Sequence, residues 1–96
     1  MFIVSITYTS PLEEIDRLIS EHVEFLDKQY NLGYFQLSGR KNPRTGGVII
    51  ATLENREKLN QILSQDPFKK ENLASYEITE MVPTKSSKAL EFLIDA

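Results

Sequence analysis

The chain opens Met1-Phe2-Ile3-Val4-Ser5-Ile6-Thr7-Tyr8-Thr9-Ser10-Pro11-Leu12-Glu13, and the fold turns on how the period changes along that stretch. Phe2, Val4, Ile6 and Tyr8 alternate with Ile3, Ser5, Thr7 and Thr9, a period of two rich in β-branched and aromatic residues, so Met1 to Thr9 reads as a strand. Ser10-Pro11-Leu12-Glu13 then supplies a hydroxyl cap, a proline at the first helical position and a glutamate at the third, the pattern of a capping box. From Leu12 the apolar positions recur by three and four through Ile15, Leu18, Ile19, Val23 and Leu26. They run out at Asn31-Leu32-Gly33, where glycine can take a left-handed cap. A strand therefore passes into a helix of about five turns.

The same reading extends outward. Tyr34 to Ser38 is expected as a second strand, Gly39 to Gly47 as a polar loop and Val48 to Leu53 as a third strand. Asn55 can cap a second helix with Leu59, Ile62 and Leu63 on its buried face, and Pro67 stops it. Asp66 can then cap a short turn that starts at Pro67. Ala74 to Val82 alternates as a fourth strand and Pro83 ends it, while Ser86 and Ser87 are candidate caps for a short tail helix through Ala89, Leu90, Leu93 and Ile94. The order βαββαβ is the ferredoxin-like, α+β arrangement: a four-stranded antiparallel sheet with two helices on one face, plus a short C-terminal helix. The third strand is apolar on both sides, with Val48 and Ile50 opposite Ile49, Ala51 and Leu53, so the helix-free face also needs cover. A second copy of the sheet is the expected cover, giving a homodimer with a cleft near the interface.

Ninety-six residues suffice for one core and no more. With 41% hydrophobic and 26% charged residues the usage is globular, and no low-complexity segment interrupts it. The chain has no cysteine, which removes disulfides, thiolate metal sites and a thiol nucleophile and fits a cytoplasmic setting. Met1 to Thr9 lacks a basic leader and cleavage site, and no run approaches a membrane span, so neither a signal peptide nor membrane association is expected. A net charge of -3 argues against nucleic acid as a partner.

Chemistry-bearing residues are few. His22, the single histidine, falls on a helical wheel within the apolar stripe between Ile15, Leu18 and Leu26, and so points toward the sheet. It is either a packed core imidazole or a functional one. Without a second histidine, a cysteine or a paired carboxylate at ligand spacing, no metal site is expected. Asp66, in Asp66-Pro67-Phe68, is either a plain cap or an acid that faces a cleft and orients an imidazole. Arg40, Lys41 and Arg44 lie around Ser38-Gly39 and Gly46-Gly47, a mixture of cations and unencumbered backbone that could hold a carboxylate or phosphate, although short basic loops are usually just solvated. Tyr8, Tyr34 and Tyr76 either line a pocket or fill the core.

Taken together, the opening strand, His22 on the first helix, Gly33 followed by Ser38-Gly39, Gly46-Gly47 before the third strand, and Asp66-Pro67-Phe68 resemble the YCII-related (YciI-like) family. The resemblance covers residues 1–85 and leaves 86–96 as a tail. It implies a dimeric α+β barrel and a pocket in which His22 and Asp66 form a catalytic dyad. Ser38, Gly39, Arg40, Arg44, Gly46, Gly47 and Phe68 are then the expected ligand-binding residues. The chain departs from that pattern at Arg40, where the family tends to have proline after the Ser-Gly pair, and at Thr45, where it tends to be acidic. A different charge in that loop implies a different ligand.

On this reading the expected activity is acid–base chemistry on a small, anionic molecule without a cofactor: proton abstraction leading to elimination or isomerisation. Cofactor-free oxygenation is a second enzymatic option by analogy of fold. The competing class is a binding or regulatory dimer that uses the same pocket without turnover. Conversion that depends on His22 discriminates the two.

Overall fold

A computed structural model describes residues 1–94. Strands β1 (Phe2–Tyr8), β2 (Phe35–Arg40), β3 (Gly46–Ala51) and β4 (Ala74–Glu80) form one antiparallel sheet in the order β2-β3-β1-β4. Because β1 and β2 are separated by β3, and β3 and β4 by β1, each helical connection steps over a strand, which is the split-βαβ topology expected from the sequence. The helices α1 (Leu12–Arg17), α2 (Ile19–Asn31), α3 (Arg56–Leu63) and α4 (Pro67–Lys70) pack on one face. Phe2, Val4, Ile6, Phe35, Ile49 and Ala51 point into that layer and meet Ile15, Phe25, Leu59, Leu63 and Phe68 from the helices and Leu18 from the junction of α1 and α2.

Several boundaries differ from expectation for identifiable reasons. Pro11 is extended (φ -59°, ψ 152°) and its carbonyl accepts the first helical hydrogen bonds, from Glu14 and Ile15, so the helix starts at Leu12 and Ser10 makes no cap. The long first helix is interrupted at Leu18 (φ -107°, ψ 6°), although His22 N–H still bonds the Leu18 carbonyl at 2.9 Å. The loop expected over Gly39 to Gly47 shrinks to residues 41–45. β2 runs on to Arg40 and β3 starts at Gly46, with Arg40 paired to Gly47 and Gly39 to Val48. Glycine at 46 is what permits this, since a Cβ there would sit 1.8 Å from the Ile6 carbonyl oxygen of the neighbouring strand. Asn55 caps α3 through the Lys58 amide at 2.8 Å, as expected.

The expected tail helix is a 3₁₀ helix, Lys88–Leu93, preceded by Ser87 with no side-chain cap. The last two positions of the tail, 95 and 96, lie outside the described residues. Among the described residues no helix is long and apolar enough to cross a membrane.

Candidate active site

The site is assembled where α2 and α4 pack together over the sheet. Asp66 enters it because Pro67 cannot extend α3 but suits the first position of a new helix, which leaves Asp66 as the cap of α4. Its side chain is fully buried, and three donors converge on it. Oδ1 accepts the Phe68 amide at 3.1 Å and faces His22 Nδ1 at 2.9 Å, while Oδ2 accepts the Tyr76 hydroxyl at 2.6 Å. A buried carboxylate is tolerable when its lone pairs are filled in this way. His22 and Asp66, 44 positions apart in the chain, thus share a hydrogen bond.

His22 is fixed from two directions. Its ring stacks on Phe68 with centroids 4.2 Å apart and planes 15° apart, and Phe68 is in turn met edge-on by Tyr8. With an acceptor at Nδ1, the neutral imidazole carries its proton there and leaves the Nε2 lone pair for a ligand. The His22 side chain is 12% exposed, and that exposure is toward a cavity of about 530 Å³ between α2 and the β2–β3 hairpin. Ile19, Val23 and Leu26 of α2 form its roof, Ile6, Tyr8 and Ile49 form much of its floor, and Ser38, Arg40, Arg44 and His22 supply polar groups.

The residues singled out in the sequence distribute unevenly around this cavity. His22, Ser38, Gly39, Arg40, Arg44, Gly46 and Gly47 line it. Asp66 stands behind His22, and Phe68 is a buried support for the imidazole rather than part of the wall. Gly39, Gly46 and Gly47 belong to paired strands and not to an open loop, so the polar contacts available to a ligand come chiefly from side chains. Ser38 shares a hydrogen bond of 2.7 Å with Tyr30. Arg44 bonds Asp16, which raises its pKa further and holds the guanidinium toward α1. Arg40 has no side-chain partner among the described residues.

Tyr76 was legible as an aromatic in a strand but not as the third group on Asp66. Burial first, and the adjacent carboxylate second, push its phenol well above the ordinary value, so it is a hydrogen-bond donor at neutral pH. The signal was its position in β4 in phase with Ile78 toward the helices, where a hydroxyl needs a partner. Among the described residues no three His, Cys, Asp or Glu side chains gather as a metal site.

Comparison with known proteins agrees with this architecture. Among solved structures, 5-chloro-2-hydroxyhydroquinone dehydrochlorinase from Burkholderia phenoliruptrix AC1100, in complex with 2,5-dihydroxybenzoquinone, superposes with a TM-score of 0.72 at 18% sequence identity. The superposition covers 93% of this chain and 98% of that one, and at this identity it is a likeness of fold. No protein of curated function matches the sequence. The model of the YCII-related domain matches residues 1–82, and with that match, over the strands, helices and cavity just described, the chain belongs to the YCII-related family.

Proposed function

We propose that the protein is a small-molecule enzyme that works by proton transfer, with His22 as the general base and then the general acid. The observation that carries this reading is the buried Asp66 carboxylate, held by three donors, one of which is the imidazole that lines the cavity. His22 Nε2 removes a proton from a carbon or hydroxyl next to a carbonyl, and the electron pair moves into the conjugated system. There it either expels an anion from the neighbouring position, an elimination, or is reprotonated elsewhere, an isomerisation. The imidazolium formed in the first step lies against Asp66; in the isomerisation it returns the proton to the substrate, and in the elimination it gives the proton up to solvent once the anion has left. No bound cofactor enters this scheme. A dehydrochlorinase on the same fold is consistent with the elimination branch. We further propose that the molecule acts as a homodimer through the helix-free face of the sheet.

The test is conversion of chlorinated and unchlorinated hydroxyquinols in heavy water, with chloride release and deuterium incorporation followed together. His22→Gln is expected to lower conversion about a hundredfold or more while the fold persists, and Asp66→Asn to lower it by a smaller factor through the wrong tautomer. A compound that binds the wild-type protein and returns unchanged and undeuterated makes the pocket a binding or regulatory site. Conversion that survives His22→Gln removes His22 from the chemistry.

A further inference from the structure

We propose that Arg40 is the specificity-determining residue of the cavity, and that it selects a small organic acid with an apolar, ring-sized body. This rests on the reading of His22 above and adds the orientation of the ligand. The sheet register sets it. Arg40 pairs with Gly47, Gly47 with Ile6 and Ile6 with Tyr76, so these four residues form one row across β2, β3, β1 and β4 on the face beneath the helices.

The row has a cation at one end and the Tyr76–Asp66–His22 chain at the other. Three strand spacings separate the ends, about 14 Å between Cα atoms, which leaves room for one ring once both side chains reach inward. Gly47 contributes no side chain to the middle of the row, and Ile19 and Val23 cover it from α2. An acid lying there puts its carboxylate at Arg40, its apolar body over Gly47 and Ile6, and its reacting group beneath His22.

The neighbouring cations do not compete for this role. The Arg44 guanidinium is bound by Asp16, and the Lys41 ammonium by the Thr7 hydroxyl on the other face of the sheet. Arg40 lines the cavity and has no side-chain partner among the described residues, and the paired N–H groups of a guanidinium match a planar carboxylate.

Benzoate and its neutral counterpart benzamide are the probes, titrated into the full chain with binding followed by NMR. Benzoate is expected to bind at least about tenfold more tightly than benzamide, a preference of the size expected for a charge-assisted pair. Arg40→Gln should abolish that preference with little effect on benzamide. Arg40→Lys should retain part of it, and Arg44→Gln should leave it within about threefold. Equal affinity of the wild-type protein for the two probes, absence of benzoate binding at saturation, or a preference that survives Arg40→Gln or vanishes in Arg44→Gln overturns the assignment. Because the readout is binding, it stands apart from turnover. His22→Gln should keep the preference, so lost conversion with intact discrimination, or the reverse, shows which of the two readings has failed.

Discussion

At Asp66 a single buried carboxylate ties together a helix cap, an imidazole and a phenol. Each donor offsets part of the cost of keeping the charge out of water, and loss of one leaves a lone pair that nothing else reaches. Tyr76 gives the cleanest measurement of this balance. Its phenol is held above the ordinary value by burial and by Asp66, whereas in the unfolded chain it ionises near pH 10. The folded pKa is the higher one, so the contribution of this group is complete below about pH 10 and is lost as pH rises toward the folded value. Denaturation curves taken from about pH 7 to pH 11 should show one group's worth of decline on the alkaline side, about 1.4 kcal/mol per pH unit. Tyr76→Phe should lack that increment and be less stable at neutral pH by about 2 kcal/mol, because a hydrogen bond to a charged acceptor is gone. An alkaline limb unchanged by the substitution would mean that neither burial nor Asp66 raises the phenol in the folded protein.

Among the elements, the β2–β3 hairpin shows where the sequence is legible and where it is not. Order and type of the strands and helices follow from periodicity and from Pro67, Gly33 and Asn55, and the same logic put His22 toward the sheet and Asp66 at a helix start. Local pattern does not carry the strand ends at Arg40 and Gly46, because two glycines and nearby cations look like a loop until a third strand requires close approach. Nor does it carry the interruption at Leu18, since the apolar period continues through it. The contact of Tyr76 with Asp66 escapes local pattern for another reason: alternation gives the face of a strand but not the partner across 10 positions of chain. The two hairpin glycines make opposite predictions. Gly46→Ala would place its Cβ 1.8 Å from the Ile6 carbonyl oxygen. It should cost about 3 kcal/mol or more, since β1 and β3 must separate. Gly39→Ala meets no atom within 4 Å and should change stability by less than about 1 kcal/mol. Thermal melts of the two variants side by side decide this, and a tolerated alanine at 46 would contradict the strand pairing itself.

Across the whole molecule, the helix-free face is the side of the sheet that α1 to α4 leave uncovered. The register puts Ile3, Val48, Ile50 and Leu37 together on that face, across β1, β3 and β2. Ile3, Val48 and Ile50 are only half-buried, and Leu37 is 65% exposed. β4 contributes Ser75, Glu77 and Thr79 to the same surface, so one side of it is apolar and the other polar. A two-fold partner presenting the same surface would let the apolar strands cover one another and keep the carboxylates at the margin, where water still reaches them. Covering these side chains contributes in proportion to the apolar area that each still exposes, which is most for Leu37 and less for the half-buried three, and this gain opposes the cost of association. Sedimentation equilibrium of the wild-type protein should therefore give twice the chain mass, and dilution should lower the melting temperature. Leu37→Glu together with Ile50→Glu should yield a folded monomer, because both residues face away from the helix-side core and the charges are costly only when a second sheet covers them. In that monomer the His22–Asp66 hydrogen bond should persist, because both residues and Tyr76 come from one chain on the opposite face. A wild-type protein that sediments as a stable monomer with this face in water would remove the dimer while leaving the cavity where it is.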